Sequence, residues 1–171
     1  MNDMTREEDR PIEVYDSGSR TVRFVGHELA HVSSRRSSSP RWTELTLYRT
    51  VKDLFVVYRV GESRVYHTDT CSFATRHKLP YYHEKPMYDL VEMTPCDICN
   101  PHRLPQNDNA MFRIEIPRQW TGVADNATAA IELLYRTDYG RKSLPMLAAN
   151  LLTAAAERDP DVRAAYSVVN I

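Results

Sequence analysis

Four residues along one stretch have the types and spacing to hold a metal ion: His67, Cys71, Cys96 and Cys99. Cys96-Asp97-Ile98-Cys99 is a C-x-x-C pair, in which a tight turn aims both sulfurs at one point, and Pro95 and Pro101 stiffen its flanks. His67 and Cys71 follow the strand-like Arg64-Val65-Tyr66 and form the other half. Three thiolates and an imidazole are the soft and borderline donors that tetrahedral zinc takes. Four protein ligands leave no open coordination position, so this chemistry stabilises a fold and activates no water. His102, just beyond Cys99, competes with His67 for the fourth place. A redox C-x-x-C opens a helix in a βαβ context, which the flanking sequence lacks.

A second constellation, His27-Glu28-Leu29-Ala30-His31, matches the H-E-x-x-H of zinc peptidases. That chemistry needs both histidines on one helical face, Glu28 as base for a zinc-bound water, and a third ligand downstream. Gly26 precedes the motif and a serine- and arginine-rich run follows it, so a helix would be too short to stand. The sequence predicts an extended segment over 27–32, with His27, Leu29 and His31 on one face and Glu28 on the other. The catalytic alternative of His27, Glu28 and His31 remains the runner-up. Arg35, Arg36 and Arg41 form the densest basic stretch, and Tyr81 and Tyr82 offer aromatic surface; these are the candidate partner contacts. No nucleophile elbow or phosphate-cradling glycine loop is present.

The elements that position these residues read as α+β: antiparallel β-hairpins first, a zinc knuckle in the middle, helices last. Residues 1–19 carry few apolar side chains and read as a flexible leader, with 20–171 a single domain. Within it, 20–66 is β-rich, 67–102 is the knuckle, and 111–171 is a strand followed by helices. Trp42–Thr50 alternates with period two, Lys52-Asp53 turns, and 54–60 returns, a hairpin. Gly61-Glu62-Ser63 reads as the next turn. The excursion between Cys71 and Cys96 is expected to be irregular, with one short helix near 87–91. Met111–Ile116 alternates strictly. Everything after it reads as helical: 127–136 capped by Asp125 or Asn126, a second helix capped by Ser143 and running to about Glu157, and a last one through Tyr166.

The order Tyr66-His67-x3-Cys71, then Pro95-Cys96-x2-Cys99, resembles the small zinc module of Ada-type DNA-repair proteins, over about a fifth of the chain. His67 stands where that family has cysteine, the residue type its methyl transfer uses as nucleophile. The resemblance therefore implies a DNA-binding or repair-accessory use. The stretch Arg41–Thr50 followed by Val65-Tyr66-His67 also resembles small zinc-knuckle proteins of actinobacteria and their phages. That resemblance implies a phage- or mobile-element-borne protein of the host cytoplasm and brings no activity with it.

Composition narrows the function classes. The chain has 171 residues, 42% hydrophobic and 26% charged, with a net charge of −1, which argues against electrostatics-dominated binding to nucleic acid. No apolar run approaches the ~20 residues of a membrane span. The polar, acidic start does not read as a signal peptide, and an odd cysteine count suits metal-held thiolates in a reducing cytoplasm. The expectation is a non-enzymatic, zinc-stabilised binding or regulatory protein with one structural Zn2+ and a protein or nucleic-acid partner.

Overall fold

A computed structural model of the chain describes residues 6–18, 20–99 and 111–169. It is α+β, in the expected order of strands first and helices last. The strands are β1 (Arg10–Asp16), β2 (Arg20–Ser33), β3 (Arg41–Thr50), β4 (Phe55–Ser63), β5 (Val65–Thr68), β6 (Thr94–Pro95), β7 (Phe112–Ile114), β8 (Arg118–Ala124), β9 (Arg136–Asp138) and β10 (Arg141–Ser143). The helices are α1 (Ser72–Arg76), α2 (Ala127–Leu134), α3 (Met146–Arg158) and α4 (Pro160–Val169), with 3-10 turns at Tyr82–Glu84 and Leu90–Glu92. The residues group into two compact units. The first comprises 1–34, 43–60 and 118–171, and the second 35–42 and 61–117.

The first unit is built on the strand order β1-β2-β3-β4-β8. The β3–β4 hairpin forms as the period-two pattern predicts, because Leu45, Leu47, Phe55 and Val57 bring apolar side chains to one face. Leu29 and Ala30 of β2 join them, and α2, α3 and α4 cover that face with Ala130, Ile131, Leu134, Leu151, Leu152 and Val162. The helical stripe expected from 3- and 4-residue spacing is thus the core. Asn126 caps α2, its Oδ1 accepting from Ala129 N at 2.8 Å. Asp159, fully buried, caps α4, accepting from Asp161 N (2.9 Å) and Val162 N (3.0 Å), and takes Arg49 Nη1 at 2.7 Å.

Several sequence expectations need correction. Residues 10–16 are no leader: β1 pairs antiparallel with β2 from Arg10↔Gly26 to Asp16↔Arg20, and Val14 is buried. Its few apolar residues suffice because only one face is covered. On its other flank Ser17 N donates to Gln119 O (2.9 Å) and Thr121 Oγ1 to Tyr15 O (2.9 Å), which brings β8 alongside β1. β8 and the β9–β10 hairpin lie where helix alone was expected. Arg118-Gln-Trp-Thr-Gly-Val-Ala carries glycine and polar residues, and its strand character comes from its neighbours. Pro145, not Ser143, is the N-cap residue of α3. Gly61–Ser63 continue β4.

Gly26 is fixed by close approach. A Cβ there would lie 2.2 Å from Arg49 O and 2.8 Å from Thr50 Cα, both backbone atoms. Only glycine lets β2 pass β3 at that point.

The second unit has its own sheet, β6-β5-β7, and two small apolar clusters. Val65, Ala74 and Leu79 pack around Cys71 and Cys96; Tyr66, Met93, Phe112 and Ile114 make the other. The excursion after Cys71 holds α1, which the sequence did not announce, and two 3-10 turns in place of a helix at 87–91.

Candidate metal centre

β5 is central in its sheet, paired parallel with β6 and antiparallel with β7. It therefore delivers His67 at a rigid position, 1% exposed. Cys71 follows, with its backbone carbonyl accepting from Thr75 N. Cys96 comes directly after β6, and its N donates to Tyr66 O at 2.9 Å, so the parallel β5–β6 pair sets the C-x-x-C turn beside His67. His67, Cys71, Cys96 and Cys99 each offer one ligand atom, and these atoms all lie within 4.8 Å of one another. The sequence-predicted quartet is assembled; His102 lies outside the described residues.

The sulfurs sit among hydrogen-bond donors. Thr68 N donates to Cys99 Sγ and Ile98 N to Cys96 Sγ, each at 3.4 Å. Burial opposes the Cys71 thiolate, but the backbone N–H groups of Ala74 and Phe73 outweigh it and lower the thiol's pKa. Burial raises that of Cys99, and the neighbouring Cys71 and Cys96 add to it. Three sulfurs and an imidazole nitrogen gathered this closely are the donor set a soft or borderline cation takes. The His67 ring stacks on Phe73 with centroids 5.4 Å apart, which holds its plane.

The sequence reading missed Glu115. It lies two residues beyond Arg113, the partner of His67 across the β5–β7 pair, so it shares the face of His67. Its Oε2 stands 2.7 Å from His67 Nε2. Burial pushes its carboxyl upward, yet bonds from Arg41, His67 and Ser63 hold it down at about 2. The alternation of 111–116 was a signal for a strand, but its pairing partner lies 48 residues away and is visible only in the fold.

The H-E-x-x-H residues are not brought together. They lie in β2, extended as predicted, with His27 and Glu28 facing opposite ways. The expectation that His27 and His31 share a face is wrong. Register runs Glu28↔Tyr48 and then Ala30↔Leu47, so Leu29 is an extra residue. That bulge flips the alternation: His27 pairs with Arg49 and His31 with Thr46, which lie on opposite faces of β3. His27 Nδ1 meets Asp9 at 2.7 Å, whereas His31 contacts Thr46 (2.8 Å) and Glu44 (3.0 Å). Rings on opposite faces of one sheet cannot ligate one ion, and the peptidase alternative of His27, Glu28 and His31 falls with that.

The expected partner contacts are partly occupied internally. Arg41 is held bidentately by Glu115 at 2.7 and 2.6 Å. Tyr82 stacks on Phe112 with centroids 5.0 Å apart, and Tyr81 lies under the Arg113 guanidinium at 4.4 Å. The Arg35 guanidinium lies over the Trp42 ring at 4.4 Å. Arg35 and Arg36 are exposed. On the first unit a cavity of about 610 Å³ is lined mainly by apolar side chains, among them Ile12, Val22, Phe24, Leu54 and Val56. Its charged lining is Lys52 and the Arg23–Glu13 pair, which gathers no set of groups suited to catalysis. Among the described residues no helix is long and apolar enough to cross a membrane. No family model matches the chain, and no curated protein or solved structure matches it.

Proposed function

We propose that the chain is a non-enzymatic binding or regulatory protein stapled by one structural zinc ion, with His67, Cys71, Cys96 and Cys99 as ligands. One observation carries this reading: four soft and borderline ligand atoms lie within 4.8 Å of one another, three of them on buried residues. Four protein donors complete a tetrahedron and leave no place for substrate or activated water, so the ion's work is folding. The experiment is metal content of the reduced, purified chain. One zinc per chain, lost in Cys96→Ser together with structure in residues 61–99, is the expected result. Two zincs, one exchangeable, would point to a second, open site. His67→Ala should lose the ion and His102→Ala keep it; the reverse outcome would move the fourth ligand.

The partner of such a module is a protein or a nucleic acid. The exposed Arg35-Arg36 loop and the resemblance to the Ada-type module support the nucleic-acid branch, as a DNA-binding or repair accessory. Arg41 adds little to it, since Glu115 already neutralises that charge. Phosphate contacts release counterions, so binding of an oligonucleotide should fall steeply with salt, and Arg35→Ala with Arg36→Ala should flatten the slope. Salt-indifferent binding would favour a protein partner. The resemblance to actinobacterial and phage zinc-knuckle proteins supports a phage- or mobile-element-borne protein of the host cytoplasm.

A further inference from the structure

We propose that Glu115 is the positioning residue of the metal centre: it holds His67 with Nδ1 turned toward the ion, and without it the ion binds more weakly. The inference rests on the metal reading above and adds a fifth residue to it.

The geometry is that of a carboxylate with almost no freedom. Glu115 Oε1 takes Arg41 Nε at 2.7 Å and Ser63 Oγ at 2.8 Å; Oε2 takes Arg41 Nη2 at 2.6 Å and His67 Nε2 at 2.7 Å. Its side chain is 11% exposed. An ionised carboxylate only accepts, so the hydrogen of that last bond belongs to Nε2. A neutral imidazole carrying its hydrogen on Nε2 has its lone pair on Nδ1. That nitrogen is the one facing the thiols, 3.4 Å from Cys71 Sγ. Glu115 thus selects the one tautomer of His67 that can ligate from this position. Without an acceptor at Nε2 the ring would divide between tautomers, and the form protonated at Nδ1 cannot bind the ion.

Charge counting explains why Arg41 is there. A divalent ion and three thiolates sum to −1, and a bare carboxylate beside them would bring the cluster to −2. Arg41 cancels the added charge while leaving the bond to Nε2 in place. The same Glu–His arrangement makes the imidazole a better donor, the effect that outer carboxylates have in metal centres generally.

A plain structural ion pair between Glu115 and Arg41 makes different predictions, so the two can be separated. The full chain is prepared as wild type, Glu115→Ala, Glu115→Gln and Arg41→Met. Zinc affinity is measured by competition with a chromophoric chelator, and the His67 ring is read by long-range 15N–1H NMR on the zinc-loaded protein. Glu115→Ala is expected to weaken zinc about 10–100-fold. Glu115→Gln should fall between it and wild type, because the amide oxygen still accepts from Nε2. Arg41→Met should lower thermal stability with a smaller loss of affinity than Glu115→Ala. The wild-type ring should show hydrogen on Nε2 and metal on Nδ1. Wild-type affinity in Glu115→Ala would overturn the proposal, as would His67 ligating through Nε2. If alanine prevents folding, the near-isosteric glutamine and the wild-type spectrum decide alone. A wild-type chain that takes up no zinc refutes the metal reading itself; zinc bound equally by all four proteins refutes only the role of Glu115.

Discussion

Stripping the metal should unfold the second unit and spare the first. Each unit has its own apolar core. Among its described residues the first buries sixteen in one cluster, with nearly fully buried Leu29, Leu47, Phe55, Leu134, Leu151 and Leu152. Among its described residues the second divides five and four buried residues between two clusters, and two of those nine are Cys71 and Cys96 of the candidate site. A structural zinc site supplies about 10–16 kcal/mol of apparent binding free energy. A whole domain is usually stable by only about 5–15 kcal/mol. The zinc term alone is therefore as large as the net stability of a typical whole domain. Amide hydrogen exchange is the assay, with zinc present and after removal by a strong chelator under reducing conditions. Amides of β5, α1 and β7 should lose most of their protection, while those of β2, β3 and α3 keep theirs. Protection that survives in β5 and β7 without metal would show that the small clusters suffice, and the reasoning would fail. Loss of protection in both units together would refute the independence of the first core.

Other perturbations test other contacts. Gly26→Ala places a Cβ 2.2 Å from Arg49 O, and overpacking against backbone should cost roughly 1–3 kcal/mol or more, read as a fall in the urea midpoint. Asp159→Ala removes the α4 cap and the partner of Arg49; Arg49 keeps Asp53 and Asp161, so the loss should sit near 2–4 kcal/mol. Asp159 also sets a pH dependence. Burial raises its pKa, but Arg49 and the α4 backbone N–H groups outweigh this and hold the folded value below the ordinary one. Its stabilisation is therefore full above about pH 4 and is lost as pH falls through the lowered folded value, and Asp159→Asn should flatten that acid limb in urea titrations. His31→Ala should leave zinc stoichiometry unchanged, since His31 lies in β2 and is no member of the quartet; loss of a zinc in that variant would show that β2 holds an ion.

The four residues of the candidate metal centre were legible from spacing alone, because chelation demands short loops between paired donors and such loops are local. The β3–β4 hairpin, the α2 cap (Asp125 or Asn126, of which the structure uses Asn126) and the buried stripe of the helices were legible for the same reason: periodicity and caps are written in neighbouring residues. What failed was non-local. β1 and β8 carry weak strand patterns and exist because each finds a neighbour, β2 in one case and β4 in the other. The H-E-x-x-H motif is intact as a string, yet one extra residue at Leu29, visible only once β2 is paired with β3, sends its histidines to opposite faces. Glu115 is an ordinary glutamate in an alternating strand until β5 and β7 pair and set it beside His67. Donor chemistry is a property of residue type and spacing, whereas pairing register decides which face a side chain occupies and what it meets there. The sequence by itself determined the four candidate ligands, and only the tertiary structure set Glu115 beside His67.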